Sequence, residues 1–121
     1  MLFRSMDFTD VEKVYDLRLK DNPQVTKVKS TTLNFLRTAP LNFYDFIYID
    51  ADHTAVGVLL DAELSWDCLK SGGVLAFDDY EWSEGKGDEF RPGPGINTFL
   101  DRHKRQWLPV QKNWQLWIQK I

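Results

Sequence analysis

The sequence has few of the features that direct a protein outside the cytoplasm or onto nucleic acid. Its single cysteine, Cys68, excludes an internal disulfide and a zinc site built from cysteines. No apolar run approaches the roughly 20 residues of a membrane helix, and the apolar stretch at the start is too short for a signal peptide. A net charge of only −3 gives no electrostatic reason to expect nucleic acid or a membrane as a partner. We therefore expect a cytoplasmic protein.

The composition suits one globular domain over residues 1–121. The chain is 43% hydrophobic and 27% charged, a balance that argues against disorder. It holds five Trp, four Tyr and eight Phe, and so many aromatic residues usually serve a core. Three tryptophans crowd the last part of the chain, which could also mark a covered sheet edge or a partner surface: Trp107, Trp114 and Trp117.

Helical and strand patterns alternate along the chain. Apolar spacing and capping residues predict helices over 7–23, 30–40, 53–73 and 96–107. Short apolar runs predict strands over 25–30, 43–50 and 73–79, followed by two strands within 107–121 that turn at Lys112–Asn113. This order is typical of an α/β fold with parallel inner strands, helices on the sheet faces in three layers, and a C-terminal antiparallel hairpin.

The predicted strand 43–50 ends abruptly in polar residues. Its letters, FYDFIYID, are almost all apolar or aromatic, as in a parallel strand that is covered on both faces. Asp50 closes the run, and Asp52 and His53 follow. One interpretation is structural, because Asp52 is a good residue to cap the next helix and carboxylates are favoured at helix N-termini. The other interpretation is a functional site.

The next predicted strand supports the second interpretation, because it ends in Asp78 and Asp79. Parallel α/β sheets bind ligands beyond the carboxyl ends of their strands, so these acids and Asp50 should converge on one crevice. Carboxylates so close together favour a bound cation, and oxygen ligands suit Mg²⁺ or Ca²⁺. His53, at the turn into the next helix, could take a proton near neutral pH.

These segments resemble the second half of class I S-adenosylmethionine-dependent methyltransferases. The likeness rests on IDADH (49–53) together with FDDY (77–80), which resemble the ends of the fourth and fifth strands of that fold. The terminal segment 107–121 is similar to its antiparallel sixth and seventh strands, and VTKVKSTTLNFL (25–36) to its third strand and the turn after it. The resemblance implies a partial Rossmann-like methyltransferase sheet.

The resemblance also implies roles for individual residues. Related catechol- and macrolide-type O-methyltransferases hold a divalent metal at these strand ends, which makes Asp50, Asp78 and Asp79 the implied metal ligands. His53 becomes the implied catalytic base, with Asp50 beside it in the catalytic centre. Asp50 would also border the methionine part of S-adenosylmethionine, and Ser30, in the turn after the third strand, is the second implied cofactor-binding residue. Mg²⁺ is the implied metal.

The first strands and the glycine-rich turn of that family have no counterpart in the sequence. No glycine precedes Gly57, and too few residues precede Asp10 for the first strand–helix–strand unit. We therefore expect a truncated or split form, the C-terminal half of the fold. Because the first strand would lie beside the fourth, the edge of 45–50 should be exposed. Either residues 25–29 fill that slot or two chains pair there, and we expect a homodimer.

Two functions follow from these expectations. The first is methyl transfer from S-adenosylmethionine to a hydroxyl of a small molecule or sugar. The second is a non-catalytic relict module that self-associates through its open sheet edge or its aromatic hairpin. A phosphoacceptor module of the signalling-receiver type also uses strand-end carboxylates, but it needs a lysine at the end of a following strand, and no residue after Asp79 fits.

Overall fold

The structure is a computed structural model that describes residues 8–50, 53–83 and 87–121, with the side chains of 8–12 and 15 left aside. Its helices are α1 (Phe8–Leu19), α2 (Thr32–Thr38), α3 (Ala55–Cys68) and α4 (Pro92–Arg102). Its strands are β1 (Tyr44–Ile49), β2 (Leu69–Phe77), β3 (Trp107–Lys112) and β4 (Leu116–Lys120). A short 3₁₀ turn covers Asp88–Phe90. No helix within these ranges combines the length and apolar character that crossing a bilayer requires.

The strands form one four-stranded sheet in the order β1-β2-β4-β3. β1 and β2 are parallel, with Ile49 opposite Phe77. β4 runs antiparallel to both of its neighbours, and it pairs with β3 as a C-terminal hairpin. The predicted α/β class, the parallel inner pair and the antiparallel hairpin are therefore confirmed. The order also agrees with the resemblance, which equates these strands with the fourth, fifth, seventh and sixth strands of the methyltransferase fold.

One face of the sheet carries the core, which α3 and α4 cover. Leu75, Phe77 and Ile118 point into it from β2 and β4, and all three are fully buried. Phe99 of α4 joins the two helices to the sheet, since its ring packs edge-to-face on Trp66 at 5.3 Å and on Phe77 at 5.9 Å. The helices approach so closely that a Cβ on Gly95 would lie 2.1 Å from the carbonyl oxygen of Ala55.

Several element boundaries differ from the sequence prediction, and two of them have a clear physical reason. α3 ends at Cys68 instead of at Gly72–Gly73, because Leu69 already pairs with Tyr44 as the first residue of β2. The Nζ of Lys120 donates to the carbonyl oxygens of Trp66 and Leu69, which satisfies the end of this helix. α4 begins at Pro92 instead of Ile96, because proline is well suited to the first turn of a helix.

The opposite face of the sheet differs most from the prediction. β1 was expected to be covered on both faces, but Phe46 is 47% exposed and Tyr48 is 44% exposed. The predicted strand 25–30 is wrong, since this segment has no strand structure and does not fill the place beside β1. β1 therefore remains an edge strand, and the described part of the chain leaves its Phe46–Tyr48 face open.

Candidate functional site

The parallel register brings the two strand ends together. Asp50 follows directly after β1 and Asp78 after β2, and the amide of Asp78 donates to the carbonyl oxygen of Ile49 at 3.1 Å. α3 begins just beyond the first of these ends, and Thr54 caps it by accepting a hydrogen bond from the amide of Gly57 at 3.0 Å. The predicted cap, Asp52, lies outside the described residues, and the cap position itself belongs to Thr54.

Three side chains converge at this edge of the sheet. Asp50, His53 and Asp79 each offer one ligand atom, and these atoms lie within 4.8 Å of one another. The two carboxylates offer the oxygen ligands that Mg²⁺ and Mn²⁺ prefer, and the imidazole beside them adds a nitrogen donor. Asp78, the third implied metal ligand, is not a member of this group of described residues.

Asp79 is held on both of its carboxylate oxygens. Oδ2 lies 2.7 Å from Nε2 of His53, and Oδ1 accepts the indole N–H of Trp114 at 2.8 Å. The backbone of Asp79 is left-handed, with φ of 55°, a conformation that aspartate tolerates better than most residues. The His53 ring is itself stacked on Trp82, with the ring centroids 4.8 Å apart. Asp79 and His53 therefore form a fixed pair.

Asp78 has a different set of partners. Gln115 donates from Nε2 to Oδ1 of Asp78 at 3.3 Å and to the hydroxyl of Tyr48 at 3.2 Å. Partial desolvation of the half-exposed phenol, the negative charge of Asp78 and its hydrogen bond to the phenol raise the pKa of Tyr48 to about 12. Tyr48 therefore stays protonated at neutral pH and can donate its O–H to Asp78.

The pKa of Asp50 is raised above its ordinary value. Partial desolvation is the largest cause, followed by the charge of Asp78, the hydrogen bond to it, and the charge of Asp79. Folding therefore favours the protonated form of Asp50, so the stability that this form contributes is lost as the pH rises through the raised pKa. A cation bound between these carboxylates would offset the unfavourable free energy of placing several ionised carboxylates close together.

Comparison with known proteins identifies the family. A family model described as a methyltransferase domain matches residues 7–80, which is more than half of the chain and includes both strand ends. The chain belongs to this methyltransferase domain family. No curated protein sequence matches the chain significantly.

The fold of this methyltransferase domain is similar to that of a protein from Corynebacterium glutamicum whose crystal structure was solved as a structural genomics target. The TM-score is 0.67 at 12% sequence identity, and the match covers 93% of this chain and 55% of that chain. At so low an identity the likeness concerns the fold alone. The methyltransferase domain described here spans about half the length of that protein.

The other implied cofactor residue is Ser30. It is exposed before α2, where its hydroxyl donates to the carbonyl oxygen of Thr31 at 3.1 Å. Among the described residues, no hydrogen bond or ion pair joins it to the strand-end group. The role of Ser30 in binding a cofactor stays a prediction.

Sequence reasoning missed four residues that contact the strand-end acids and His53. They are Tyr48, which is hydrogen-bonded to Asp78, Trp82, which stacks on His53, and the two residues at the hairpin tip, Trp114 and Gln115. The crowding of tryptophans near the C-terminus was the one sequence feature that pointed to a role for Trp114. It did not indicate which acid the indole contacts.

Proposed function

We propose that this chain provides the metal- and acceptor-binding part of an S-adenosylmethionine-dependent O-methyltransferase that acts on a small molecule or sugar. The observation that carries the proposal is the convergence of Asp50, His53 and Asp79 within 4.8 Å at the carboxyl ends of two parallel strands. The family match to a methyltransferase domain supports it, because the matched residues include all three side chains.

When bound, S-adenosylmethionine would supply the methyl group, and a cation would polarise the acceptor hydroxyl and lower its pKa. Asp50 and Asp79 are the residues that would hold the cation, since both carboxylates belong to the group whose ligand atoms lie within 4.8 Å of one another. The Nε2 of His53 faces Asp79, so its Nδ1 is the nitrogen that would take the proton from the acceptor. Asp50 is also the proposed contact to the cofactor.

The proposal predicts that Asp79→Asn weakens Mg²⁺ binding at least about 10-fold, because the substitution removes one of the two anionic ligands. Isothermal titration calorimetry of the chain with MgCl₂ measures this affinity. Asp45→Asn is the matched control, since Asp45 lies at the other end of β1 with its side chain 86% exposed. We expect the control to bind as the unmodified chain does.

Equal Mg²⁺ affinity in Asp79→Asn and the unmodified chain would contradict the metal site. A titration with S-adenosylmethionine, with and without Mg²⁺, then tests the cofactor. Binding at micromolar ligand supports the proposed methyl transfer and justifies a screen of hydroxyl acceptors. Absence of binding at millimolar ligand would contradict cofactor binding by this chain alone.

The second candidate function is self-association as a homodimer through the outer edge of β1. It is favoured by the outer edge of this strand, with which no described strand pairs, and by the exposed rings of Phe46 and Tyr48 beside it. An edge strand presents unpaired N–H and C=O groups that a second copy can bind. A twofold axis would place the two β1 strands antiparallel and join the two sheets into one.

This candidate predicts a dimer that Phe46→Lys converts to a monomer, because a charge at the edge strand opposes pairing. Light scattering coupled to size-exclusion chromatography measures the mass. Leu108→Lys is the control, since Leu108 is 53% exposed and occupies the same row and face of the sheet on the other edge strand, β3. A monomeric unmodified chain, or equal masses for the two variants, would contradict pairing through β1.

A further inference from the structure

Trp114 connects the C-terminal hairpin to the strand-end group. It lies in the turn between β3 and β4, 35 residues after Asp79 in the sequence, and its indole N–H donates to Oδ1 of Asp79 at 2.8 Å. Its backbone carbonyl oxygen accepts the amide N–H of Tyr80, also at 2.8 Å. Two hydrogen bonds from one residue therefore fasten the turn after β2 to the tip of the hairpin.

The indole contact determines how the Asp79 carboxylate is oriented. With Oδ1 occupied by the indole, Oδ2 is the oxygen that faces His53. An indole is a neutral donor that cannot accept a hydrogen bond, so it fixes the carboxylate without neutralising its charge. The negative charge therefore stays available to the histidine or to a cation.

Gln115, the next residue at the hairpin tip, contacts Asp78, the acid that precedes Asp79. Gln115 holds Asp78 together with the hydroxyl of Tyr48, on the side of the open sheet face. The two adjacent acids, Asp78 and Asp79, are thus directed to different places by two adjacent hairpin residues. Asp78 still contacts Asp50, whose pKa its charge raises, but it is Asp79 that belongs to the group with Asp50 and His53.

We propose that Trp114 is a positioning residue whose indole N–H orients Asp79, so that Oδ2 is presented to His53 and to a divalent cation. The part of this inference that concerns the cation rests on the proposed function, whereas the part that concerns His53 does not. Partners that orient a metal ligand typically change metal affinity by 10- to 100-fold when they are removed.

The test is Trp114→Phe, which keeps an aromatic ring and removes the N–H. Mg²⁺ affinity measured by calorimetry should fall about 10-fold or more. The ¹⁵N resonances of the His53 ring, recorded at one pH without metal, should move as the Asp79 contact loosens. Trp107→Phe is the matched control, because its indole also donates one hydrogen bond, to the Leu100 carbonyl oxygen at 3.2 Å, away from this site. Neither quantity should change in the control.

The outcomes separate this inference from the proposed function. If the unmodified chain binds no Mg²⁺, the proposed metal site is contradicted. The positioning role would still be supported if the His53 resonances move in Trp114→Phe and stay in place in Trp107→Phe. Unchanged His53 resonances and unchanged Mg²⁺ affinity in a folded Trp114→Phe protein would overturn it. If that variant does not fold, the indole N–H resonance of Trp114 in Asp79→Ala decides, since a resonance that stays in place would also overturn the inference.

Discussion

Gly95→Ala should destabilise the protein by about 3 kcal/mol or more, because the new methyl group has no space between α3 and α4. The added Cβ would lie 2.1 Å from the carbonyl oxygen of Ala55 and 2.7 Å from Cγ1 of Val58. The first of these atoms is backbone, so relief requires that the two helices move apart. The free energy of unfolding, measured by urea denaturation with a circular dichroism signal, gives the loss.

Gly87→Ala is the control for this substitution. Gly87 has φ of −63°, and a Cβ there would meet nothing within 4 Å. We expect its unfolding free energy to stay within about 0.5 kcal/mol of the unmodified chain. Equal losses for Gly95→Ala and Gly87→Ala would show that α3 and α4 do not approach each other as closely as described.

Phe99→Ala should cost about 3–5 kcal/mol, because it opens a cavity where the helices meet the sheet. Phe99 is completely buried, and its ring contacts Trp66 and Phe77 at centroid distances of 5.3 and 5.9 Å. The free energy of unfolding of a typical domain is about 5–15 kcal/mol, so this loss is a large fraction of the stability. Thermal and urea unfolding of the variant measure it.

Phe90→Ala removes the same side chain from the surface, since Phe90 is 48% exposed in the 3₁₀ turn before α4. Its cost should be at most about 1 kcal/mol. If Phe90→Ala were as destabilising as Phe99→Ala, the core could not lie where α4 meets β2, and the face assigned to α4 would be wrong.

The elements with strong local signals were predictable from the sequence. α2 lies within the predicted 30–40 with Thr31 as its cap, and β1 lies within the predicted 43–50. The failures concern positions that tertiary contacts decide. The alternation in 25–30 imitates a strand, but a strand forms only where a neighbouring strand pairs with it. Leu69 ends a helical pattern, yet it becomes strand because Tyr44 lies beside it.

The site was predictable to the level of strand ends and no further. Parallel strands place their carboxyl ends at one edge, so the nearness of the acids of β1 to those of β2 followed from the element order. The different orientations of Asp78 and Asp79 depend on the left-handed backbone at Asp79 and on Trp114 and Gln115. Those contacts join residues far apart in sequence, and no local pattern encodes them.

The position of β1 at the edge of the sheet has a consequence for how the site is held together. Among the described residues, β1, which Asp50 follows, has one neighbouring strand, whereas β2, which precedes Asp79, has neighbours on both sides. Edge segments open locally at lower free energy than central ones, so the site can come apart while β2, β4 and β3 stay folded. A ligand that bridges Asp50 and Asp79 would hold β1 against β2. Binding of the ligand and local folding of β1 would then be thermodynamically linked, so that each would favour the other.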